Sequence, residues 1–328
     1  MTLLEPARET RKFSDPDRTA DGARRARVGL QALQTLWINT GSLCNIECRN
    51  CYIESSPKND RLAYITAAEM TGFLDEIAAL SLPTGEIGFT GGEPFMNPDI
   101  LPMLEVALAR GFSVLVLTNA MQPMMRPQIR DGLVRLRQAY GDALTLRVSL
   151  DHFTEALHDL ERGPGSFDKT VAGMDWLVAE GFSLAIAARS CWDETEEKTR
   201  AGFADLIAER GWPIDAHSSA QLVVFPEMDE RAEVPEITTE CWEILGKDPG
   251  EVMCASSRMV VKRKDAERPT VLPCTLLPYD RAFEMGATLA EAARADGDMF
   301  EDGAVKLCHP HCAKFCVLGG ASCSTGLT

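Results

Sequence analysis

Nowhere in this sequence is there an apolar run long enough to cross a bilayer. The first stretch, Met1 to Gly29, is polar with mixed charge and lacks the apolar core of an export signal. A cytoplasmic chain with no membrane partner is expected. Basic charge is scarce as well: 33 Lys and Arg face 49 Asp and Glu, a formal net charge of -16. An acidic surface repels phosphates instead of releasing counterions from them, so nucleic acid is not expected as a partner. Arg24, Arg25 and Arg27 form a local exception, read as part of a solvated, frayed extension over residues 1–31. Fixed-period repeats and low-complexity tracts are missing too. The hydrophobic share, 45%, is that of an ordinary globular protein and excludes disordered and fibrous classes.

What the chain does have is cysteine, 11 in 328 residues. Without an export signal a disulfide framework is disfavoured, which leaves metal ligation or catalysis. Three cysteines fall within eight residues near the N-terminal end, and six of the other eight lie beyond residue 250. Cys191 and Cys241 stand alone and read as buried apolar thiols.

Between about residues 34 and 226, short Val-, Ile- and Leu-rich runs alternate with amphipathic stretches, the rhythm of a parallel sheet with helical crossovers. Strands are expected at Thr35–Asn39, Glu86–Thr90, Ser113–Asn119, Leu144–Asp151, Ser183–Ser190 and Gln221–Phe225. Thr66 with Glu69 makes a capping box, and Met70, Phe73, Leu74, Ile77 and Leu80 follow at helical spacing. Asn97-Pro98 reads as N-cap and first turn of a second helix that Gly111 closes; Asp168 and Thr195 open further helices ending at Gly181 and Gly211. The fold class is α/β: a partial (β/α)6 TIM-type barrel over residues 32–226, with chemistry at the strand carboxyl ends. After Pro226 the rhythm stops. Residues 227–328 are Cys-rich with one expected helix near Ala282–Ala295, a smaller C-terminal domain organised by metal.

The loop after the first strand holds Cys44-x3-Cys48-x2-Cys51-Tyr52. Three thiolates so close can wrap a small cluster without a long loop closure. A structural zinc site wants four protein ligands, and no fourth Cys or His lies nearby. A zinc knuckle completed from a distance, or three buried thiols, are the alternatives. A cubane with three protein ligands keeps one iron open for a cofactor or substrate.

In this position the spacing resembles the radical S-adenosylmethionine (radical SAM) superfamily. The resemblance implies a [4Fe–4S] cluster whose unique iron binds the amino and carboxylate groups of S-adenosylmethionine. Electron transfer then breaks the sulfonium bond and releases a 5′-deoxyadenosyl radical. An electron donor such as a flavodoxin or ferredoxin is implied too. The family usually has an aromatic residue just before the third cysteine; this chain has Asn50, and Tyr52 is the candidate substitute against adenine.

Thr90-Gly91-Gly92-Glu93-Pro94 ends the second strand and resembles the family's GGEP motif, whose carbonyls and carboxylate hold the methionine ammonium. Asn119, Ser149 and Asp151 end the third and fourth strands, where small polar groups suit ribose hydroxyls and the cofactor carboxylate. The block His158-Asp159-x2-Arg162, then Gly165-Ser166-Phe167-Asp168, resembles sulfatase-maturating and peptide-modifying members. Arg162 or Arg189 is the candidate partner of the methionine carboxylate, and His158 a hydrogen-bonding residue more than a base.

Downstream, Cys254 and Cys274 flank a hairpin expected from Met259–Lys262 and Pro269–Leu272, and Cys308, Cys312, Cys316 and Cys323 follow. One auxiliary [4Fe–4S] cluster is the first expectation, a structural zinc site the alternative. The arrangement resembles the twitch or SPASM extensions of radical SAM enzymes, with late spacings of x3, x3 and x6 that depart from the full SPASM pattern. Hydrogen-atom abstraction from a substrate C–H follows from the resemblance. A small metabolite is slightly favoured over a peptide side chain, because so short a leader leaves little room for a peptide-recognition domain.

Overall fold

Segments of three to eight residues rich in Val, Ile and Leu, most of them largely buried, become the strands of one sheet. The computed structural model describes residues 11–190, 192–226 and 233–319. β1 (Thr35–Asn39), β2 (Glu86–Thr90), β3 (Ser113–Thr118), β4 (Leu144–Ser149), β5 (Ser183–Ser190) and β6 (Leu222–Pro226) pair in chain order, each parallel to the one before. Parallel neighbours need crossovers. These are α1 (Ala67–Ala79), α2 (Ile100–Ala109), α3 (Pro127–Tyr140), the pair α4 (Glu155–Arg162) and α5 (Ser166–Ala179), and α6 (Glu196–Arg210). The partial barrel read from the sequence is what forms.

Local chemistry explains the helix ends. Thr66 and Glu69 make the expected reciprocal capping box, and Met70, Phe73, Leu74 and Ile77 face inward. Thr195 caps α6 by accepting from the Lys198 amide, and Gly211 ends it in the left-handed region. Asn97 is not an N-cap: α2 starts later, and the Asn97 amide donates to the carbonyls of Thr40 and Ile65 at 3.0 and 2.9 Å. A buried side chain that joins two loops outweighs the local capping preference. Gly165, in left-handed conformation, precedes α5 and leaves Asp168 within its first turn.

The expected division at residue 226 is a break neither in the sheet nor in the core. β7 (Ser257–Val261) lies parallel to β1, with Thr35 opposite Ser257, and β8 (Thr270–Leu272) returns antiparallel to it. The hairpin thus extends the barrel sheet at its β1 edge. At the other edge Phe315 stacks on Phe225 of β6, ring centroids 5.4 Å apart. One continuous apolar core includes Trp37 and Phe89 of the barrel with Met253, Leu272 and Phe315 from beyond it.

The N-terminal extension is also corrected from residue 11 onward. Arg25 is buried, pairs with Glu236 at 2.6 Å and donates to the carbonyl of Arg18. Arg27–Val28 pairs antiparallel with Ala304–Lys306, which pairs in turn with Phe300–Glu301. Complementary charge and backbone pairing anchor what composition alone reads as frayed. The helix expected near Ala282–Ala295 is two single turns, Arg281–Phe283 and Leu289–Ala292. Gly286, with φ +111°, separates them, and its carbonyl accepts from the Val271 amide of β8 instead of continuing a helix. Among the described residues no helix is long and apolar enough to cross a membrane.

Candidate active site at the strand carboxyl ends

Parallel strands gather their carboxyl ends on one side, and the main cavity opens there. It encloses about 1020 Å³ of empty space, open solvent at its mouth included. Cys44, Cys48 and Cys51 line it together with Tyr52, Gly91, Gly92, Asn119, Ser149, Asp151, Arg162 and Arg189. Residues up to 271 positions apart in sequence, Cys44 and Phe315, thereby share one space. Leu276, Phe225 and Phe315 add an apolar wall where the Cys-rich segment meets β6.

The cysteine loop is held from several sides. Gly92 donates to the Gly41 carbonyl at 2.8 Å and Glu93 to that of Leu43 at 3.1 Å. A Cβ on Gly92 would stand 2.1 Å from the Leu43 oxygen, so these glycines let two loops touch as well as a ligand approach. Ser55 donates its amide to Cys51 Sγ at 3.3 Å, and Tyr279 reaches the Ile53 carbonyl at 2.6 Å.

Asn50, where the resembled family usually has an aromatic, is a structural tether. Its amide N–H and its side-chain Nδ2 both donate to the Glu161 carboxylate, at 2.7 and 3.0 Å. Arg49 donates to the Glu161 carbonyl at 2.8 Å, and Arg189 Nη1 to the Asn50 carbonyl at 2.8 Å. Tyr52 lines the cavity, its hydroxyl 3.5 Å from Thr90 Oγ1.

Asp151 is clamped by the fork of Arg162 at 2.7 and 2.9 Å, with Arg189 Nε at 3.5 Å. Burial opposes its ionisation, but the two guanidiniums outweigh that and hold the carboxyl below the usual range. The Arg162 fork therefore already faces a carboxylate of the chain. His158 is fully buried, and its Nδ1 accepts the Asp151 amide at 3.2 Å. Burial, and then Arg162, lower its pKa to about 4, so the neutral ring acts as an acceptor. Glu93 sits beneath the cavity. It accepts from Thr118 Oγ1 and the Asn119 amide, both at 2.9 Å, and burial raises its pKa to about 7 despite these donors. Asn119 Nδ2 donates to Asn45 at 2.9 Å.

Do these residues fit an iron–sulfur cluster? Burial pushes the Cys44 thiol up to about 12, with Glu93 adding to it, and Cys48 to about 11 against the pull of Arg162. Bare, these sulfurs stay protonated; a bound metal would displace the protons. Cys44, Cys48 and Cys51 line one cavity, and three soft sulfur donors are the ligand type that iron–sulfur clusters take.

The later cysteines form a second group. Cys254, Cys274 and Cys312 are buried, and burial followed by the proximity of Cys274 and Cys254 drives the Cys312 thiol well up. Cys316 is half-buried in the π-helical segment Cys312–Gly319. The Cys308 thiol donates to the Phe13 and Asp15 carbonyls, at 3.4 Å each, and is also close enough to Cys312 to add to its shift. Cys191 and Cys323 lie outside the described residues. Cys241 is half-exposed and accepts from the Thr238 amide at 3.3 Å.

Sequence reasoning missed Glu161. A signal was there: His158, Glu161 and Arg162 stand at i, i+3 and i+4 on α4, so one helix face carries three polar groups. Asn97 and the apolar wall had no comparable signal, since their partners lie far along the chain.

A family model described as the radical SAM superfamily matches residues 38–188. The AdoMet-dependent heme synthase of Methanosarcina barkeri is 30% identical over 158 residues, 48% of this chain and 42% of that protein. The mycofactocin maturase MftC of Mycobacterium ulcerans is 31% identical over 142 residues, 43% of this chain and 36% of that protein. The chain thus spans less than half the length of these curated relatives. Among solved structures, Streptococcus suis SuiB bound to S-adenosylmethionine superposes with a TM-score of 0.59 at 13% identity, covering 81% of this chain and 66% of SuiB. SuiB bound to precursor peptide SuiA gives a TM-score of 0.56 at 14% identity, covering 82% of this chain and 66% of SuiB. These two likenesses show the fold.

Proposed function

This chain belongs to the radical SAM superfamily through residues 38–188, and from that premise we propose that it removes a hydrogen atom from a C–H bond of a peptide side chain. When bound, a [4Fe–4S] cluster and S-adenosylmethionine supply a carbon-centred radical strong enough for that abstraction. The observation that carries the reading is the convergence of Cys44, Cys48 and Cys51 with the Gly91-Gly92 turn and the Asp151, Arg162 and Arg189 group in one cavity. The preference for a peptide comes from the maturase relative and the peptide-bound fold neighbour.

Each residue has a stated task. Cys44, Cys48 and Cys51 would hold the cluster by three sulfurs, leaving it able to take the cofactor. The Gly91-Gly92 backbone would receive the methionine moiety, with the Glu93 carboxylate fixing the turn through the Phe95 and Asn119 amides. Asn119 and Ser149 would serve the ribose and Tyr52 the adenine, all three lining the cavity. Arg162 and Arg189, with Asp151 between them, set the positive charge near the cofactor carboxylate. Phe225, Leu276 and Phe315 keep water from the reacting carbon. Cys254, Cys274 and Cys312 hold an auxiliary cluster in a twitch- or SPASM-like segment. A small reductant protein such as a flavodoxin or ferredoxin delivers the electron.

The heme synthase relative favours a second reading, a small-molecule substrate. Anaerobically reconstituted protein, reductant and S-adenosylmethionine are to be incubated with deuterated candidate peptides and with deuterated small metabolites. Deuterium arriving in 5′-deoxyadenosine from a peptide supports the first reading. Transfer only from a small molecule replaces it with the second, and failure of the cysteine triplet to retain iron sinks both.

A further inference from the structure

Arg258 lies on β7 with 1% of its surface exposed, among the largest fully buried side chains. Its Nη1 donates to the carbonyls of Cys254 and Ser257 at 2.6 and 2.8 Å. Nε and Nη2 are buried and have no hydrogen-bond partner. Arginine keeps its charge in proteins, and a buried charge without a counter-ion is strongly unfavourable. No carboxylate makes an ion pair with it among the described residues. The ionisable groups that offset its burial are Cys254 and Cys274.

Arg258 borders an apolar cavity with Leu30, Leu33, Leu80 and Leu82, and the thiols of Cys254 and Cys274 are the ionisable groups close to it. Cys254 precedes β7 by three residues, and Cys274 follows β8 by two, so the antiparallel hairpin returns both to the same end. Cys312 is the electrostatic neighbour of both. An iron–sulfur cluster ligated by thiolates is a net anion, and it gains one more negative charge on reduction.

We propose that Arg258 is the buried counter-ion of an auxiliary iron–sulfur cluster held by Cys254, Cys274 and Cys312, its two unpartnered N–H groups donating to sulfur and raising the reduction potential. The proposal rests on the auxiliary-cluster reading and adds a specific residue to it. Positive charge and hydrogen bonds to sulfur favour the more negative, reduced state, so removing them shifts the potential down. Arg258 is thus a positioning and tuning residue with no contact to the substrate.

The test uses the full-length chain carrying Cys44→Ala, Cys48→Ala and Cys51→Ala, reconstituted with iron and sulfide, so that only the later cysteines hold iron. Dye-mediated redox titration followed by EPR is compared for this parent and for added Arg258→Gln or Arg258→Lys. The expected result is a negative shift of the midpoint with Gln and substantial recovery with Lys. An unchanged midpoint in Arg258→Gln overturns the proposal while leaving the auxiliary cluster standing. A parent with no iron at all overturns both, which separates the two failures. Should the Gln variant lose its cluster, melting temperatures of apo and loaded protein decide. A counter-ion predicts that loading raises the melting temperature less in Arg258→Met than in the parent, whereas a mere brace predicts the same rise in both.

Discussion

The two groups of cysteines use the chain in opposite ways. Cys44, Cys48 and Cys51 lie within eight residues, sit on a loop beside an open cavity, and are fixed by polar tethers from Glu161, Arg189, Gly92 and Glu93. Cys254, Cys274 and Cys312 come from three separated segments, lie in the apolar core, and have a buried arginine for company. On the proposed reading, a catalytic cluster at the first group would have to meet a ligand, which its reachable, braced loop allows. A cluster at the second group would need no entrance, and charge compensation would be its main requirement.

Deleting each set gives the largest contrast. Replacing Cys44, Cys48 and Cys51 by Ala should abolish S-adenosylmethionine cleavage and remove about four irons while the fold survives, as anaerobic iron analysis and circular dichroism would record. Replacing Cys254, Cys274 and Cys312 by Ala should leave iron at the first set. It should lower unfolding stability by about 1 kcal/mol or more per buried site, read by urea denaturation. Equal loss of iron from both sets in either variant would break the comparison.

A smaller effect sharpens it. Glu161→Gln removes the anionic acceptor of the Asn50 amide and weakens the hold on the first loop. Iron there should resist a chelator about 10- to 100-fold less well, as expected for loss of an outer support, with iron at the later cysteines unaffected.

A further contrast concerns pH. His158 in the barrel and His309 beyond it both have pKa values lowered to about 4, burial being the first cause in each. The unfolded rings take protons near pH 6.5, so the folded state binds fewer in between. Each histidine's contribution is therefore complete above pH 6.5 and is lost as pH falls toward 4. Against parent, His158→Gln and His309→Gln should each reduce this acid loss, by at most about 3 kcal/mol. Urea midpoints from pH 7 to 4.5 measure it; a difference for only one of them would show that the two buried sites are not equivalent.

Legibility followed the distance between partners. The loop Cys44-x3-Cys48-x2-Cys51, the Gly91-Gly92-Glu93 turn and the strand ends at Asn119 and Asp151 could be read because each signal is local. A parallel sheet then brings strand carboxyl ends together without further information. The capping box at Thr66 and the glycine stops were equally local, and the strands fell within two residues of their expected ends. The role of Asn50 was not legible: its partner, Glu161, lies 111 residues away, and the spacing of the cysteines contains nothing about it.

By itself, then, the sequence determined the βα alternation, the thiolate loop and the polar strand ends, because short-range periodicity and spacing dictate them. Only the tertiary structure decided that the hairpin joins β1, that the N-terminal Arg25 is anchored, and that Cys308 donates to the Phe13 and Asp15 carbonyls. The reason is physical. Those outcomes depend on burial and on the pairing of charges from segments more than 200 residues apart, and such balances exist only once the chain has closed on itself.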